Sequence, residues 1–191
     1  MPDDRRLVVT ENITANGVIE FIDDWFDPAD QDDAEDLFAV MKDHMAREEA
    51  LLLGRKTFES FRGYWPLQTD DASGSAEHLN RVPKYVVSST MTDPAWDHAS
   101  VLSGRLEDEV AALKAEGGGG ELGVTGSISV VHDLMRADLV DEYRLFVHPV
   151  LSGRGRYLVP DGLTLQRLAL TEWTSFRSGI SLQVYTKRSN G

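Results

Sequence analysis

Short apolar runs alternate with segments of helical periodicity over the first 136 residues. Ala50-Leu51-Leu52-Leu53 is apolar throughout, which is typical of a strand covered on both faces of a parallel sheet. Before this strand, apolar side chains recur at three- and four-residue spacing, which predicts a helix with Asp32 or Asp33 as its cap. The inward positions of that helix are Leu37, Phe38, Met41 and Met45.

The same pattern places the remaining elements of this region. It predicts strands at 7–10, 84–88, 100–102 and 122–124, and helices over 57–61, over 106–113 and from Gly126-Ser127 onward. Residues 14–32 and 68–78 are polar and are predicted to be irregular. Strands that alternate with helices in this way predict a parallel sheet.

The C-terminal part has a different pattern. A strand at 143–147 and a strand-like run at 163–174 precede the turn Arg177-Ser178-Gly179, and residues 180–184 alternate cleanly. This order predicts an antiparallel hairpin on one side of the sheet. The chain, residues 1–191, is therefore expected to form a single α/β domain.

Composition narrows the functional classes. The formal net charge is −13 and there is no Lys/Arg cluster, so no nucleic-acid partner is expected. No apolar run approaches the roughly 20 residues of a membrane span, and the polar N-terminus lacks the apolar segment of a signal peptide. The absence of cysteine removes disulfide and thiolate chemistry. These features predict a cytoplasmic protein with no membrane partner and no metal site.

Acidic residues are concentrated in one segment. Residues 23–36 contain eight acids and no base, which fits a solvated loop that leads into a helix N-terminus. Two alternatives are that one of these acids works in an active site, or that the segment binds calcium. The EF-hand spacing and its central glycine are missing, which disfavours calcium.

Three strand ends carry residues that suit a phosphate group. Residues 53–57 offer glycine, two cations and a threonine, residues 88–90 offer hydroxyls, and residues 123–128 place glycine and serine at a helix start. Each of these segments could also be an ordinary turn or helix cap. Because ligands bind beyond the carboxyl ends of strands in open α/β sheets, the three together predict a phosphorylated ligand.

These motifs resemble those of a known family. Leu53-Gly54-Arg55-Lys56-Thr57-Phe58-Glu59 and Tyr85-Val86-Val87-Ser88-Ser89 are similar to the cofactor motifs of the dihydrofolate reductase superfamily. The segment 139–155, with His148-Pro149 and Ser152-Gly153-Arg154-Gly155, resembles the riboflavin-biosynthesis reductase branch, the RibD C-terminal domain. The resemblance covers about residues 6–187. It implies a dihydrofolate reductase-like three-layer fold, with a mostly parallel sheet of about eight strands and an antiparallel C-terminal hairpin.

The resemblance also implies a cofactor, NADPH, and the residues that hold it. In the family the Gly-Arg-x-Thr turn and the Ser-Ser turn bind the adenosine 2′-phosphate and the pyrophosphate, and the glycine-rich helix start lies along the cofactor. The matching residues here are Gly54, Arg55, Lys56, Thr57, Ser88, Ser89, Thr90, Gly123, Thr125, Gly126, Ser127 and Ile128.

The sequence departs from the family pattern near the expected reaction centre. Thr125-Gly126 stands where two adjacent glycines are usual, and Thr14-Ala15-Asn16-Gly17 stands where the riboflavin branch usually carries Ser-Leu-Asp-Gly. Asn16 could orient a substrate but cannot act as a carboxylate acid or base. An ordinary Asn-Gly turn is the alternative interpretation of this run.

A comparison with folate reductases supplies further candidates. Trp25-Phe26-Asp27-Pro28-Ala29-Asp30 has the spacing of their Trp-x-x-Pro-x-Asp run, which makes Asp30 a candidate proton-relay acid and Trp25 a candidate substrate contact. Trp65 could form a wall for a flat substrate, or simply cover the edge of the core. The arginine that grips the folate tail has no match, since Val82 falls at its place, so folate reduction itself is not expected.

The sequence thus predicts an NADPH-dependent reductase that acts on a small substrate. One alternative is a nucleotide-binding sensor or interaction protein without catalysis, and another is a reductase of the riboflavin pathway itself. The resemblance further implies a homodimer.

Overall fold

The computed structural model describes residues 5–27 and 33–188. Its strands are β1 (Arg6–Thr14), β2 (Glu48–Gly54), β3 (Lys84–Val87), β4 (Ala99–Leu102), β5 (Glu121–Thr125), β6 (Glu142–His148), β7 (Leu168–Ser175) and β8 (Ser181–Lys187). Its helices are α1 (Glu35–Met45), α2 (Arg55–Tyr64), α3 (Ser75–Arg81), α4 (Leu106–Ala115) and α5 (Ile128–Arg136), with a 3-10 turn at Trp65–Leu67.

These strands form one sheet in the order β4-β3-β2-β5-β1-β6-β8-β7. The pairs from β4 to β6 are parallel, whereas β8 runs antiparallel to both β6 and β7. The predicted α/β fold is confirmed: a mostly parallel eight-stranded sheet ends in an antiparallel hairpin. Because β2, β3, β5 and β1 are parallel neighbours, their carboxyl ends meet at one edge of the sheet.

Helices cover both faces of the sheet, because the central strands are apolar on both sides. On one face, alternate residues of β1, β2 and β5 pack against Val110 of α4 and Val131 and Leu134 of α5. On the other face, Leu51 and Leu53 pack against Phe58 of α2. Farther along that second face, α1 packs against β6 and β8 through a smaller apolar cluster. The result is three layers.

Several predicted boundaries differ from the observed ones. The sequence predicts residues 68–78 to be irregular, yet α3 begins at Ser75. The apolar period of this short helix is weak because two of its four buried residues, Ser75 and His78, are polar. The strand-like run at 163–174 is a strand only from Leu168 onward. β1 extends past Thr10 to Thr14, because β6 continues to pair with it up to His148.

The start of α1 also differs from the prediction. Its N-cap is Ala34, which makes no side-chain capping hydrogen bond. Asp33 instead forms an ion pair with Arg177 at 3.1 Å, and Asp32 lies outside the described residues. No helix in the described ranges combines the length and apolar character that a membrane span requires.

Candidate functional site

A cavity of about 490 Å³ opens at the carboxyl ends of β2, β3, β4 and β5. Four segments line it, each at the carboxyl end of one of these strands: 54–57, 87–90, 102–104 and 126–130. Asp133 of α5 and Arg156, which follows β6, complete the lining. The three strand ends singled out in the sequence therefore meet at one site, of a size typical for ligand pockets.

Two hydrogen bonds join the turn after β2 to the turn after β5. The backbone N–H of Gly54 donates to Ser127 Oγ at 2.9 Å, and Thr57 Oγ1 donates to the carbonyl oxygen of Gly126 at 2.9 Å. Ser127 is buried. The starts of α2 and α5 are thereby held side by side, with their N-terminal amides at the same cavity.

A side chain would be crowded at two glycines of this junction. A Cβ atom on Gly54 would lie 3.2 Å from Val130 Cγ2. Gly126 has a φ of +61°, a conformation that costs an L-residue about 1–2 kcal/mol, and its Cβ would lie 3.3 Å from Thr57 Cγ2. Both glycines allow close packing of backbone beneath the cavity.

The junction is electropositive. Unsatisfied N–H groups at the starts of α2 and α5 carry partial positive charge, and Arg55 and Lys56 add two formal charges. Arg55 Nη1 forms an exposed ion pair with Glu59 at 3.3 Å, while Lys56 has no ion pair within the described ranges. The arrangement suits an anion such as a phosphate.

Hydroxyl groups line the cavity beyond β3. Ser88 Oγ accepts hydrogen bonds from the backbone N–H groups of Thr90, at 3.2 Å, and Met91, at 3.0 Å. This turn exposes Ser89 and Thr90 at the cavity. Ser103 and Gly104 extend the same wall from the end of β4. Because ligands bind beyond the carboxyl ends of strands in such sheets, the predicted strand at 100–102 already points to these two residues.

Two of the predicted cofactor residues do not line the cavity. Gly123 lies within β5, outside the cavity lining, and the end of the Glu48 side chain lies 2.4 Å from where its Cβ would be. Thr125 is the last residue of β5 and also lies outside the lining.

Asn16 holds two loops together. Its Oδ1 accepts hydrogen bonds from Thr14 Oγ1 at 2.8 Å and from the backbone N–H of Ser152 at 3.1 Å. Its Nδ2 donates to the carbonyl oxygen of Ser152 at 2.7 Å. Asn16 therefore contacts the 149–153 turn and is not part of the cavity lining.

Trp25 belongs to an aromatic cluster at the ends of β1 and β6. It packs edge-on against Phe21 and His148, with ring centroids 5.2 and 5.4 Å apart, and Phe26 completes the cluster. Burial lowers the pKa of His148 to about 4, and its Nε2 lies 2.9 Å from Asn12 Oδ1. The cluster therefore presents a neutral, apolar surface.

The last two sequence candidates lie elsewhere. Trp65 packs edge-on against Phe61 and Tyr64, partly buried beside the α2 and α3 core, and does not line the cavity. Asp30 lies outside the described residues.

One buried acid was not anticipated from the sequence. Thr10 pairs with Thr125, the last residue of β5, so Glu11 is the first β1 residue beyond the end of that strand. Glu11 is 1% exposed, the backbone of Gly126 hydrogen-bonds to its carboxyl, and its Oε1 has no partner within the described ranges. Burial raises the pKa of Glu11 to about 8. A neutral carboxylic acid thus lies directly beneath the Gly126 turn.

The chain matches the family model of the RibD C-terminal domain over residues 22–182. It belongs to that family, as the motifs at 53–59 and 139–155 predicted. It is also similar to the uncharacterized protein YyaP of Bacillus subtilis (strain 168), with 27% identity over 188 residues, which cover 95% of this chain and 94% of YyaP.

Solved structures share the fold. A putative riboflavin biosynthesis protein from Shewanella sp. PV-4 superimposes with a TM-score of 0.71 at 18% identity, covering 96% of this chain and 99% of that one. A pyrimidine reductase-like protein from Corynebacterium diphtheriae gives a TM-score of 0.68 at 16% identity, covering 98% and 94%.

Proposed function

We propose that this protein is an NADPH-dependent reductase that transfers a hydride to an electrophilic carbon of a small substrate. The observation that carries the proposal is the convergence of the three strand-end motifs on one cavity with two helix N-termini, two cations and a row of hydroxyl groups. Membership of the RibD C-terminal family supports a reductase over other nucleotide-binding proteins.

The donor set fits a dinucleotide. The starts of α2 and α5 provide adjacent backbone amides for a pyrophosphate, because Ser127 and Thr57 fix the two turns against each other. Arg55 and Lys56 suit the adenosine 2′-phosphate that distinguishes NADPH from NADH. Hydroxyl groups at 88–90 and 103 suit ribose or phosphate oxygens.

Bound NADPH would supply the hydride, and the protein would supply position and exclusion of water. In this proposal, residues of the Gly126 turn and of the ends of β1 and β6 would hold the nicotinamide. Glu11 lies beside that turn, because the backbone of Gly126 hydrogen-bonds to its carboxyl. Because its carboxyl is neutral, it adds no negative charge next to the cofactor phosphates.

The substrate would lie beside the aromatic cluster of Phe21, Trp25, Phe26 and His148. Glu20 connects this cluster to the cavity wall: its carbonyl oxygen accepts a hydrogen bond from Trp25 Nε1 at 3.0 Å, and its carboxylate binds Arg156. Aromatic rings suit a flat heterocycle. One structural neighbour is described as pyrimidine reductase-like, so ribosylaminouracil-type pyrimidines are the first substrates to test.

Titration with NADPH tests the cofactor assignment. Arg55→Ala is expected to weaken NADPH binding roughly tenfold, because a charge-assisted phosphate contact is lost. Arg81→Ala is the matched control, since Arg81 also forms an exposed ion pair with a glutamate four residues away but lies on α3, outside the cavity lining. Equal affinity of Arg55→Ala and wild type would contradict the assignment.

Activity then separates a reductase from a sensor. The oxidation of NADPH should accelerate on addition of a pyrimidine, pterin or carbonyl substrate. Tight NADPH binding with no turnover across such a panel would instead favour a nucleotide-binding protein without catalysis.

A further inference from the structure

Arg156 reaches the cavity from a segment far from the three motifs. Residues 149–158 run alongside residues 14–20: Val18 and Tyr157 form an antiparallel bridge. The Ile19 N–H donates to the Arg156 carbonyl oxygen at 3.0 Å, and the Leu158 N–H donates to the Gly17 carbonyl oxygen at 3.0 Å. The backbone of Arg156 is therefore fixed on both sides.

The side chain of Arg156 is oriented by Glu20. Glu20 Oε1 accepts from Arg156 Nε at 3.0 Å and from Nη2 at 2.6 Å, while Oε2 accepts from the Arg156 backbone N–H at 3.0 Å. Within the described ranges, Nη1 has no hydrogen-bond acceptor, so it remains available to a ligand at the cavity that Arg156 lines.

The charge of Lys56 also acts on the Glu20 carboxylate. The hydrogen bond from Arg156 is the main cause that lowers the pKa of Glu20, and the charge of Lys56 lowers it further. Lys56 belongs to α2, after β2, whereas Arg156 follows β6. Because β2 and β6 lie on either side of β5 in the sheet, the two cations belong to segments that flank the strand leading into α5.

The charges of the cavity favour an anion between them. Among the described residues, its lining contains Arg55, Lys56 and Arg156 against a single acid, Asp133, in a chain whose net charge is −13. Asp133 is itself paired with Arg136 at 3.2 Å. An anion that lay at the helix starts would thus meet cationic side chains on both walls.

We propose that Arg156 is a phosphate-binding residue that holds the pyrophosphate of the dinucleotide from the β6 side of the cavity. The inference rests on the proposed use of NADPH and extends it, because it adds a contact outside the motifs that define the cofactor site. In this arrangement Glu20 is a positioning residue that presents the guanidinium group to the cavity.

Fluorescence titration with NADPH and NADH tests the proposal on the full chain. Arg156→Ala is expected to raise the Kd for both dinucleotides roughly tenfold and by similar factors, since both carry the pyrophosphate. Arg156→Lys, which keeps the charge but not the fork geometry, should recover part of the loss. Arg154→Ala is the matched control, because Arg154 is an exposed neighbour that pairs with Asp23 and does not line the cavity.

Each other outcome has a definite meaning. If Arg156→Ala binds both dinucleotides as tightly as Arg154→Ala does, the inference is wrong while the proposed function stands. A loss confined to NADPH would overturn the pyrophosphate assignment, because Arg156 would then bind the 2′-phosphate. If the wild-type protein binds neither dinucleotide, the proposed function fails, and the inference fails with it. Equal unfolding temperatures of the three variants exclude a folding defect as the cause.

Discussion

Gly54 and Ser127, which are 73 positions apart, are joined by a 2.9 Å hydrogen bond from the glycine N–H to the serine hydroxyl. This bond connects the end of β2 to the start of α5. Together with the hydrogen bond from Thr57 to Gly126, it holds the two segments in place before any ligand binds. The contact is therefore a direct point at which to test the site.

Ser127→Ala should affect both stability and cofactor binding. It leaves the Gly54 N–H without its acceptor, which is expected to cost about 1–2 kcal/mol of unfolding free energy. The NADPH Kd should rise, because the α2 and α5 starts lose their mutual restraint. Denaturant unfolding and NADPH titration measure the two effects. Ser129→Ala, at an exposed position two residues later, is the control for unfolding and should leave stability within about 0.5 kcal/mol of wild type.

Gly126→Ala tests the backbone requirement of the same turn. A φ of +61° together with a 3.3 Å approach to Thr57 Cγ2 is expected to destabilise the protein by about 1–2 kcal/mol. Gly153→Ala is the control, because a Cβ there would meet no atom within 4 Å. The midpoints of thermal unfolding of the two variants measure this difference. Equal midpoints would contradict a backbone requirement for glycine at position 126.

Glu11 should make stability depend on pH. Burial raises its pKa from the ordinary 4.5 to about 8, so the folded state keeps a proton that the unfolded state has lost over this interval. The contribution of Glu11 to the free energy of unfolding is therefore greatest below about pH 4.5. It falls by up to about 1.4 kcal/mol per pH unit as the pH rises to about 8.

Glu11→Gln removes this proton linkage while it keeps the shape of the side chain. The unfolding free energy of the variant, measured in denaturant from pH 5 to 9, should fall less with pH than that of wild type. Glu172→Gln, at an exposed position of β7, should retain the wild-type slope. A wild-type slope in Glu11→Gln would show that the carboxyl is ionised in the folded protein.

Local sequence patterns were sufficient to predict which strand ends line the cavity. Two buried strands are followed in the sequence by residues typical of turns. Gly54 follows Leu51–Leu53, and Ser88 follows Val86–Val87. In a parallel sheet such ends meet at one edge, so the convergence follows from the strand order. The apolar period of α5 likewise predicted which face of the helix packs against the sheet.

The other half of the site depends on contacts between distant segments. Arg156 reaches the cavity only because residues 149–158 pair with residues 14–20, and no pattern around Arg156 marks that pairing. Glu11 was missed because β1 was expected to end at Thr10, although it continues to Thr14. Glu11 is buried beside the Gly126 turn, which follows β5, so its burial is a property of the assembled fold.

Asn16→Asp tests whether Asn16 acts on a substrate or only joins two loops. The substitution restores the acid that is usual in the riboflavin branch, but it replaces the Nδ2 donor with an oxygen that would face the Ser152 carbonyl. Since that hydrogen bond is 2.7 Å long, the variant is expected to lose about 1 kcal/mol of unfolding free energy.

Asn16→Ser is the paired variant for this test, because it shortens the side chain without adding charge. If Asn16 only joins the loops, both variants should lose stability while their NADPH Kd and substrate KM match wild type. A change in KM or kcat that is specific to Asn16→Asp would instead place this side chain at the substrate. Steady-state NADPH oxidation across pH 5 to 8 separates the two cases, because an ionisable group at the reaction centre would add a limb to the rate profile.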